Sequence, residues 1–240
     1  KHALSQQWSI NNVIANIETL RSLQKVLRKG EWKITVAIHS KSSRDSKEII
    51  NIWPGFYDGP IYGVAVDVGS TTIAANLCNL ETGDVISSAG AMNPQIRFGE
   101  DLMSRVSYSM MNTGGDLEMT KAVIDGLNSL FKEITEEAKI DKNLILDSVF
   151  VCNPVMHHLL IGIDPFELGQ APFALATSEQ LNFSAKEINL EINPQAKTYI
   201  LPCIAGHVGA DAAAVALSES PNDSDDLVLI VDVGTNAEIM

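Results

Sequence analysis

The sequence of 240 residues predicts an α/β fold in which a mixed sheet carries helices on its faces. Three observations support this fold class. Three strand-like segments follow one another with tight turns between them, and helical segments then alternate with further strands. An apolar strand that ends in Asp-x-Gly occurs twice, at Asp67 and at Asp232, and the second occurrence predicts the start of a second copy of the same fold.

The elements of the main fold are predicted from the spacing of apolar residues. Consecutive strands at 61–67, 72–80 and 84–91, with a tight Glu81-Thr-Gly-Asp84 turn before the last, favour an antiparallel meander. In 116–139 apolar residues recur every three or four positions, as in an amphipathic helix. The other predicted helices are 99–111, 155–161 and 208–217, and the other predicted strands are 145–151, 198–201 and 227–233.

The first sixty residues have a separate pattern. Apolar residues at helical spacing predict one helix over 9–28, and alternating segments at 32–38 and 48–53 predict a hairpin. We therefore divide the chain into a small α+β helix-plus-hairpin segment (1–60), a main domain (61–225) and the first strand of a truncated second domain (226–240). The chain begins at Lys1 rather than Met and stops just inside the second copy, so we expect a fragment of a longer protein.

Charge is distributed unevenly along the chain. The net charge is −13, yet residues 1–47 hold nine Lys and Arg against three acids, so the remainder is strongly acidic. An acidic body repels nucleic acid, and we expect no nucleic-acid partner. The basic front is most simply a solvated face, with an acidic partner as the alternative. No apolar run approaches the ~18 residues of a membrane span, and no signal peptide opens the chain. We therefore expect no membrane association and a cytoplasmic location.

The cysteines are too widely spaced to predict a metal site. Cys78, Cys152 and Cys203 form no CxxC pair, so the sequence predicts neither a zinc site nor an iron–sulfur cluster within this chain. Each lies in or beside an apolar, strand-like run, which favours buried structural thiols.

The first Asp-x-Gly motif has the composition of a phosphate-binding turn. An apolar strand ends at Asp67, Gly69 permits a tight turn, and the hydroxyl residues Ser70, Thr71 and Thr72 follow. Consecutive N–H groups at such a turn can bind an anion, and hydroxyl groups add further donors. The carboxylate cannot face a phosphate directly, so its expected role is to hold Mg²⁺, usually through water. An ordinary Asp-Gly turn at a strand end is the alternative.

The second motif strengthens the prediction of a nucleotide site. Asp232, Gly234, Thr235 and Asn236 repeat the pattern after another apolar strand. Two such turns facing each other can hold a phosphate chain between two lobes, with Mg²⁺ between Asp67 and Asp232. The sequence therefore predicts binding of a nucleotide such as ATP.

Two further polar residues are candidates for the same site. Asn153 follows a buried strand, at the sheet edge where open α/β sheets bind ligands, or it caps the next helix. Asp211 opens a helix after Gly206-His-Val-Gly, and it either stabilises the helix or orients water or Mg²⁺ as a catalytic residue.

The remaining polar candidates are less specific. His157 and His158 are adjacent on a predicted helix and cannot form an i, i+4 metal pair, which favours a structural or partner-facing role. Arg97 and Arg105 could meet either a phosphate or a protein partner.

In combination these motifs resemble a known family. The element order is that of the ribonuclease-H-like half-domain that actin-type ATPases use twice, here the first lobe plus the start of the second. Within the actin-like superfamily, the chain resembles the ATPase part of the reductive activators of corrinoid proteins over about residues 30–240. The matching stretches are Tyr62–Thr72, Asn93–Gln95, Phe98–Arg105, Asn153–Pro165, Leu168–Phe173, Ala205–Asp211 and Asp232–Glu238.

The resemblance implies an activity and partners. Such proteins couple ATP hydrolysis to the uphill reduction of a Co(II) corrinoid to Co(I), which implies ATP and Mg²⁺ as ligands. It also implies a corrinoid partner, either a corrinoid iron–sulfur protein or a corrinoid methyltransferase component. The electron would come from an iron–sulfur cluster in a domain absent from this chain, and a homodimer remains open. A small-molecule kinase of the same superfamily and a non-catalytic binding fragment are the alternatives.

Overall fold

The computed structural model describes residues 1–40, 47–223, 227–234 and 237–239 of the chain. The helices are α1 (His2–Trp8), α2 (Ile17–Lys29), α3 (Leu102–Met111), α4 (Gly115–Ala138), α5 (Pro154–Leu160) and α6 (Ala210–Glu219). The strands are β1 (Val13–Ala15), β2 (Ile34–His39), β3 (Lys47–Pro54), β4 (Tyr62–Val68), β5 (Thr72–Asn79), β6 (Val85–Met92), β7 (Ile145–Cys152), β8 (Leu181–Ser184), β9 (Lys197–Ile200), β10 (Val231–Val233) and β11 (Ala237–Ile239).

The main sheet has six strands in the order β6-β5-β4-β7-β9-β8. Strands β4, β5 and β6 form the predicted antiparallel meander. Strand β7 pairs in parallel with β4 on one side and with β9 on the other, and β8 closes the edge in the antiparallel sense. The mixed α/β fold is therefore confirmed. The parallel pairing places Val68 opposite Cys152, so the segments that follow β4 and β7 leave the sheet at the same edge.

The core of the main sheet follows the two periodicities in the sequence. Alternate residues of β4 are buried (Val64, Val66 and Val68), as expected for a strand with one face against the core. Helix α4 covers this sheet with residues spaced three or four apart, and Val123 and Leu127 are completely buried. Truncating one such leucine to alanine costs about 2–5 kcal/mol in protein cores.

The front segment differs from its prediction. The hairpin is present as β2 and β3, but the single helix predicted over 9–28 is wrong, because the chain forms α1, then β1, then α2. Asn16 begins α2, since its side chain accepts a hydrogen bond from the backbone N–H of Thr19 at 2.9 Å. Val13 is buried where β1 pairs in parallel with β3. Apolar residues at 10, 13, 14 and 17 satisfy helical spacing, but the Asn16 cap and the strand pairing determine the structure.

The front segment is docked against the far edge of the main sheet. Lys186 donates to Glu18 at 2.9 Å, and Lys197 is paired with Glu48. A cavity of about 730 Å³ lies between α2, β3 and residues 186–195. Asp67 and the other predicted site residues do not line this cavity.

The end of the described chain forms a short hairpin. Strands β10 and β11 pair antiparallel, with Asp232 opposite Glu238. The strand predicted over 227–233 is therefore shorter than expected and is followed by a second strand that the sequence did not predict. In the ranges described above, no helix combines the length and the apolar character that crossing a bilayer requires.

Candidate functional site: the turn after the first Asp-x-Gly strand

The turn that follows β4 is tight, with Ser70 buried and Thr71 exposed. A Cβ atom at Gly69 would lie 2.7 Å from the carbonyl oxygen of Thr72, so the chain can make this close approach only without a side chain. Ser70 is 7% exposed. The sequence predicts that Gly69 permits a tight turn, and the structure attributes this to the close approach of Thr72 rather than to a positive φ.

Three consecutive carbonyl groups of this turn accept hydrogen bonds from two residues, Asn93 and Arg105 of α3. The side chain of Asn93 donates to the Gly69 oxygen at 2.8 Å, and the backbone N–H of Asn93 donates to the Thr71 oxygen at 2.7 Å. The oxygen between them, that of Ser70, accepts a hydrogen bond from the guanidinium of Arg105. Asn93 and Arg105 are both completely buried, so these bonds are shielded from water.

The held carbonyls fix the direction of the N–H groups. In a trans peptide the N–H points away from the carbonyl of the same unit. Because Asn93 binds the Gly69 carbonyl and Arg105 binds the Ser70 carbonyl, the N–H groups of Ser70 and Thr71 point away from those side chains. Consecutive N–H groups arranged in this way can bind an anion.

Asn153 caps a helix, which is one of the two roles that the sequence left open, and it also contacts the turn. Its side-chain oxygen accepts from the N–H of Met156 at 3.0 Å and so caps α5. Its side-chain nitrogen donates to the hydroxyl of Ser70 at 3.1 Å. The cap of α5 is therefore also a contact of the turn, because β4 and β7 end side by side.

A second loop approaches this edge through a glycine. A Cβ at Gly209 would lie 2.5 Å from both the Cα of Asn153 and the carbonyl oxygen of Cys152. Only glycine lets α6 begin so close to the end of β7. Asp211, in the first turn of α6, accepts from the N–H of Ala212 at 2.9 Å, which stabilises the helix start.

Asp67, Asp211 and Asp232 interact electrostatically. Partial burial, followed by the charges of Asp211 and Asp232, raises the pKa of Asp67 to about 6, although part of the side chain is open to solvent. Burial also raises the pKa of Asp211, with a smaller contribution from Asp232. Repulsion among carboxylates is what a bound divalent cation relieves.

The donor groups at this site limit how a cation could be held. Among the described residues, no group of three or more His, Cys, Asp and Glu side chains is close enough to coordinate a metal ion directly. Mg²⁺ typically keeps several waters and binds one or two carboxylates. A Mg²⁺ ion bound here would therefore keep much of its own water rather than be enclosed by protein ligands.

The other predicted site residues lie around or outside this edge. Thr72 is the first residue of β5 and pairs with Met92. Gly234 follows β10 and is exposed. Thr235 and Asn236 lie outside the described residues. Arg97 is exposed, with its guanidinium 4.6 Å from the ring centre of Phe98, so of the two arginines only Arg105 reaches the turn.

The cysteines are partly as expected. Cys152 and Cys203 are buried, and Cys78 is half-buried rather than fully enclosed. Burial raises the pKa of Cys203 to about 11 and that of Cys152 well above its ordinary value, so both are thiols at neutral pH.

Sequence reasoning missed the buried residues that hold the turn from behind. Gln95 accepts from Arg105 at 3.3 Å and donates to the Met119 carbonyl at 2.9 Å. Asn93 lies in the same Asn-Pro-Gln stretch and accepts from the Gln95 N–H at 2.9 Å. Asn followed by Pro does signal a capped turn, but the contact between that turn and residues 69–71 depends on tertiary packing.

Comparisons with known proteins match the chain to one family. The RACo linker region family matches residues 1–59, and the RACo middle region family matches residues 62–221. The chain is 32% identical over 180 residues to the corrinoid activation enzyme RamQ of Eubacterium limosum. The aligned region covers 75% of this chain and 30% of RamQ. A solved structure of a reductive activator for corrinoid, iron–sulfur protein superposes with a TM-score of 0.86 at 31% identity.

That superposition covers 98% of this chain and 37% of the solved chain, so the described protein spans well under half the length of these relatives. The middle-region match alone covers more than half of the chain. The chain therefore belongs to the RACo family of corrinoid reductive activators.

Proposed function

We propose that this chain is the phosphate-binding part of an ATP-dependent activator that returns a Co(II) corrinoid to Co(I). The observation that carries the proposal is the turn at residues 69–71, whose carbonyls accept hydrogen bonds from Asn93 and Arg105, beside Asp67, which interacts electrostatically with Asp211 and Asp232. An anion bound by the turn and a cation bound by the acids are together the recognition elements of a metal–nucleotide complex.

Each residue of the turn has a distinct task in this proposal. The N–H groups of Ser70 and Thr71 bind phosphate oxygens, and Asn153 holds the Ser70 hydroxyl so that its proton is available to a phosphate oxygen. Asp67 and Asp232 hold Mg²⁺ through water, and Asp211 orients a water molecule or the same cation. Mg²⁺, when bound, would neutralise phosphate charge during transfer to water.

The sheet order supports an actin-type ATPase lobe. A meander of three antiparallel strands that continues into parallel β7 and β9 is the arrangement expected of a ribonuclease-H-like half-domain. The second Asp-x-Gly strand at Asp232 would begin the opposing lobe. In this arrangement ATP closes two lobes on each other, and the closed state binds the corrinoid partner differently from the open state. Only such a difference in affinity between states can drive an uphill reduction.

The proposed partner is a corrinoid iron–sulfur protein or the corrinoid component of a methyltransferase. The solved relative is described as an activator for a corrinoid, iron–sulfur protein, and RamQ as a corrinoid activation enzyme. The family resemblance implies that the electron would come from an iron–sulfur domain of the same polypeptide. A cluster requires roughly four closely placed thiolates, and the cysteines of this chain are the half-buried Cys78 and the buried Cys152 and Cys203.

The test is an anaerobic titration of the complete gene product with its corrinoid partner, following the Co(II) absorption. We expect bleaching only when ATP and a strong reductant are both present. Asp67→Asn should remove the ATP-dependent part and leave the Co(II) spectrum unchanged. Equal formation of Co(I) without ATP would contradict the proposal, and a phosphorylated small-molecule product would favour a kinase instead.

A further inference from the structure

Arg105 is a charged side chain placed inside the protein. It is 0% exposed and donates to the carbonyl oxygens of Gly99 (3.0 Å) and Ser70, to the side-chain oxygen of Gln95 (3.3 Å) and to the sulfur of Met156 (3.1 Å). All four acceptors are electrically neutral. The guanidinium therefore has hydrogen-bond partners but no adjacent negative charge among them.

Asp101, the acidic residue that acts electrostatically on Arg105, does not supply this missing negative charge. Across the described residues, no carboxylate lies within ion-pair distance of Arg105. Asp101 acts on it electrostatically, but Asp101 is exposed and is used to cap α3, accepting from the Ser104 N–H at 2.7 Å. Burial lowers the pKa of Arg105 to about 10, so the group remains charged at neutral pH. A buried charge without a counter-charge is costly, and proteins retain one where something compensates it.

The position of the charge indicates what compensates it. The guanidinium donates to the Ser70 carbonyl, and the N–H on the other side of that peptide unit belongs to Thr71, on the face predicted to meet phosphate. A hydrogen bond from a cation to a carbonyl polarises the peptide and strengthens its N–H as a donor. The positive charge and an anion on the opposite face would then be separated by a single peptide unit.

We propose that Arg105 is a positioning residue for the nucleotide phosphates, acting through the Ser70–Thr71 peptide without touching the ligand, and that the bound phosphate is the missing counter-charge of this buried cation. This inference rests on the proposed nucleotide site. In the same way, Asn93 positions the Ser70 N–H by binding the Gly69 carbonyl. Gln95 accepts a hydrogen bond from Arg105 but, being neutral, does not cancel its charge.

The test measures the dissociation constants of Mg-ATP and adenosine for the complete gene product. Arg105→Gln removes the charge, and Arg97→Gln is the matched control, since it removes the same charge from an exposed position of the neighbouring turn. Gln95→Glu is a second variant of nearly the same size that places a carboxylate beside the intact Arg105. We expect both Arg105→Gln and Gln95→Glu to weaken Mg-ATP binding about tenfold relative to Arg97→Gln, the size of one charge-assisted hydrogen bond.

Adenosine separates positioning from general loss of structure. It carries no phosphate, so its dissociation constant should stay within about twofold of wild type in every variant that melts cooperatively. If Arg105→Gln does not fold, the ratio of the two affinities in Gln95→Glu decides. If the ratio of the Mg-ATP and adenosine dissociation constants is unchanged in the folded variants, the inference is overturned, while the proposed nucleotide site still stands. Absence of Mg-ATP binding by the wild type would overturn both.

Discussion

Replacing His157 by phenylalanine should make the stability of this protein less sensitive to acid. His157 is 0% exposed, and neither of its ring nitrogens has a hydrogen-bond partner in the described chain. Its neighbour His158 is equally buried but is satisfied, with Nδ1 at 2.8 Å from the Pro154 carbonyl and Nε2 accepting from the Ala176 N–H at 3.0 Å. The interior therefore tolerates His157 only as a neutral ring.

The pKa of His157 determines the size and direction of the effect. Burial, and then the charge of His158, lowers the pKa of His157 from its ordinary 6.5 to about 4. Between these values the unfolded chain binds a proton that the folded protein does not, so stability falls as pH decreases through this window. The difference between the two pKa values corresponds to about 3 kcal/mol in the free energy of unfolding. The stability that depends on a neutral His157 is fully present above pH 6.5 and is lost as the pH falls to about 4.

The assay is urea unfolding followed by circular dichroism at several pH values from 7.5 to 4, compared between wild type and His157→Phe. Wild type should lose about 3 kcal/mol more than the variant over this range. Carboxyl groups with raised pKa values, such as Asp67, contribute with the opposite sign, but they are common to both proteins and cancel in the difference. His2→Phe, on an exposed histidine, should follow wild type. Parallel pH profiles for wild type and His157→Phe would refute the reasoning.

Three other outcomes are expected. Asp67→Asn or Asp232→Asn in the complete gene product should lower ATPase turnover about tenfold or more, since a group that positions the metal is lost. If either variant turns over ATP as fast as wild type, that residue does not position the metal. Gly209→Ala should destabilise the fold by about 1–3 kcal/mol in urea titrations, because the new Cβ would lie 2.5 Å from the Cα of Asn153. An unchanged unfolding midpoint would show that the loop accommodates the Cβ without strain. The isolated chain should be colourless and free of iron by elemental analysis; stoichiometric iron would show that its cysteines do bind a cluster.

Much of the main sheet could be predicted because its signals are local. The alternation of apolar residues in β4 and the recurrence of apolar residues in α4 are set by the geometry of a strand and a helix. The short turns of the meander indicate which strands pair. Glycine followed by hydroxyl residues after Asp67 likewise predicts a turn from the conformational freedom of one residue.

The residues behind the turn could not be predicted because their roles depend on contacts distant in sequence. Nothing in the pattern of α3 distinguishes the buried Arg105 from the exposed Arg97 nearby. Strand β8 was missed because its four residues are half-buried at a sheet edge and carry no clear alternation. The front helix was placed wrongly because 9–17 satisfies helical spacing, while pairing of β1 with β3 decides the conformation.

The order of strands also has a consequence for how the protein reaches its native state. Strands β4, β5 and β6 are joined by short turns, and their pairing closes small loops. The pairing of β4 with β7 joins segments far apart in sequence, and such non-local contacts form late because loop closure costs entropy. Asn153 directly follows β7, so the Ser70 hydroxyl gains its partner only after this late step. We expect pulse-labelled hydrogen exchange to detect a refolding species that protects the meander before β7 is in place, and that species would not yet bind phosphate.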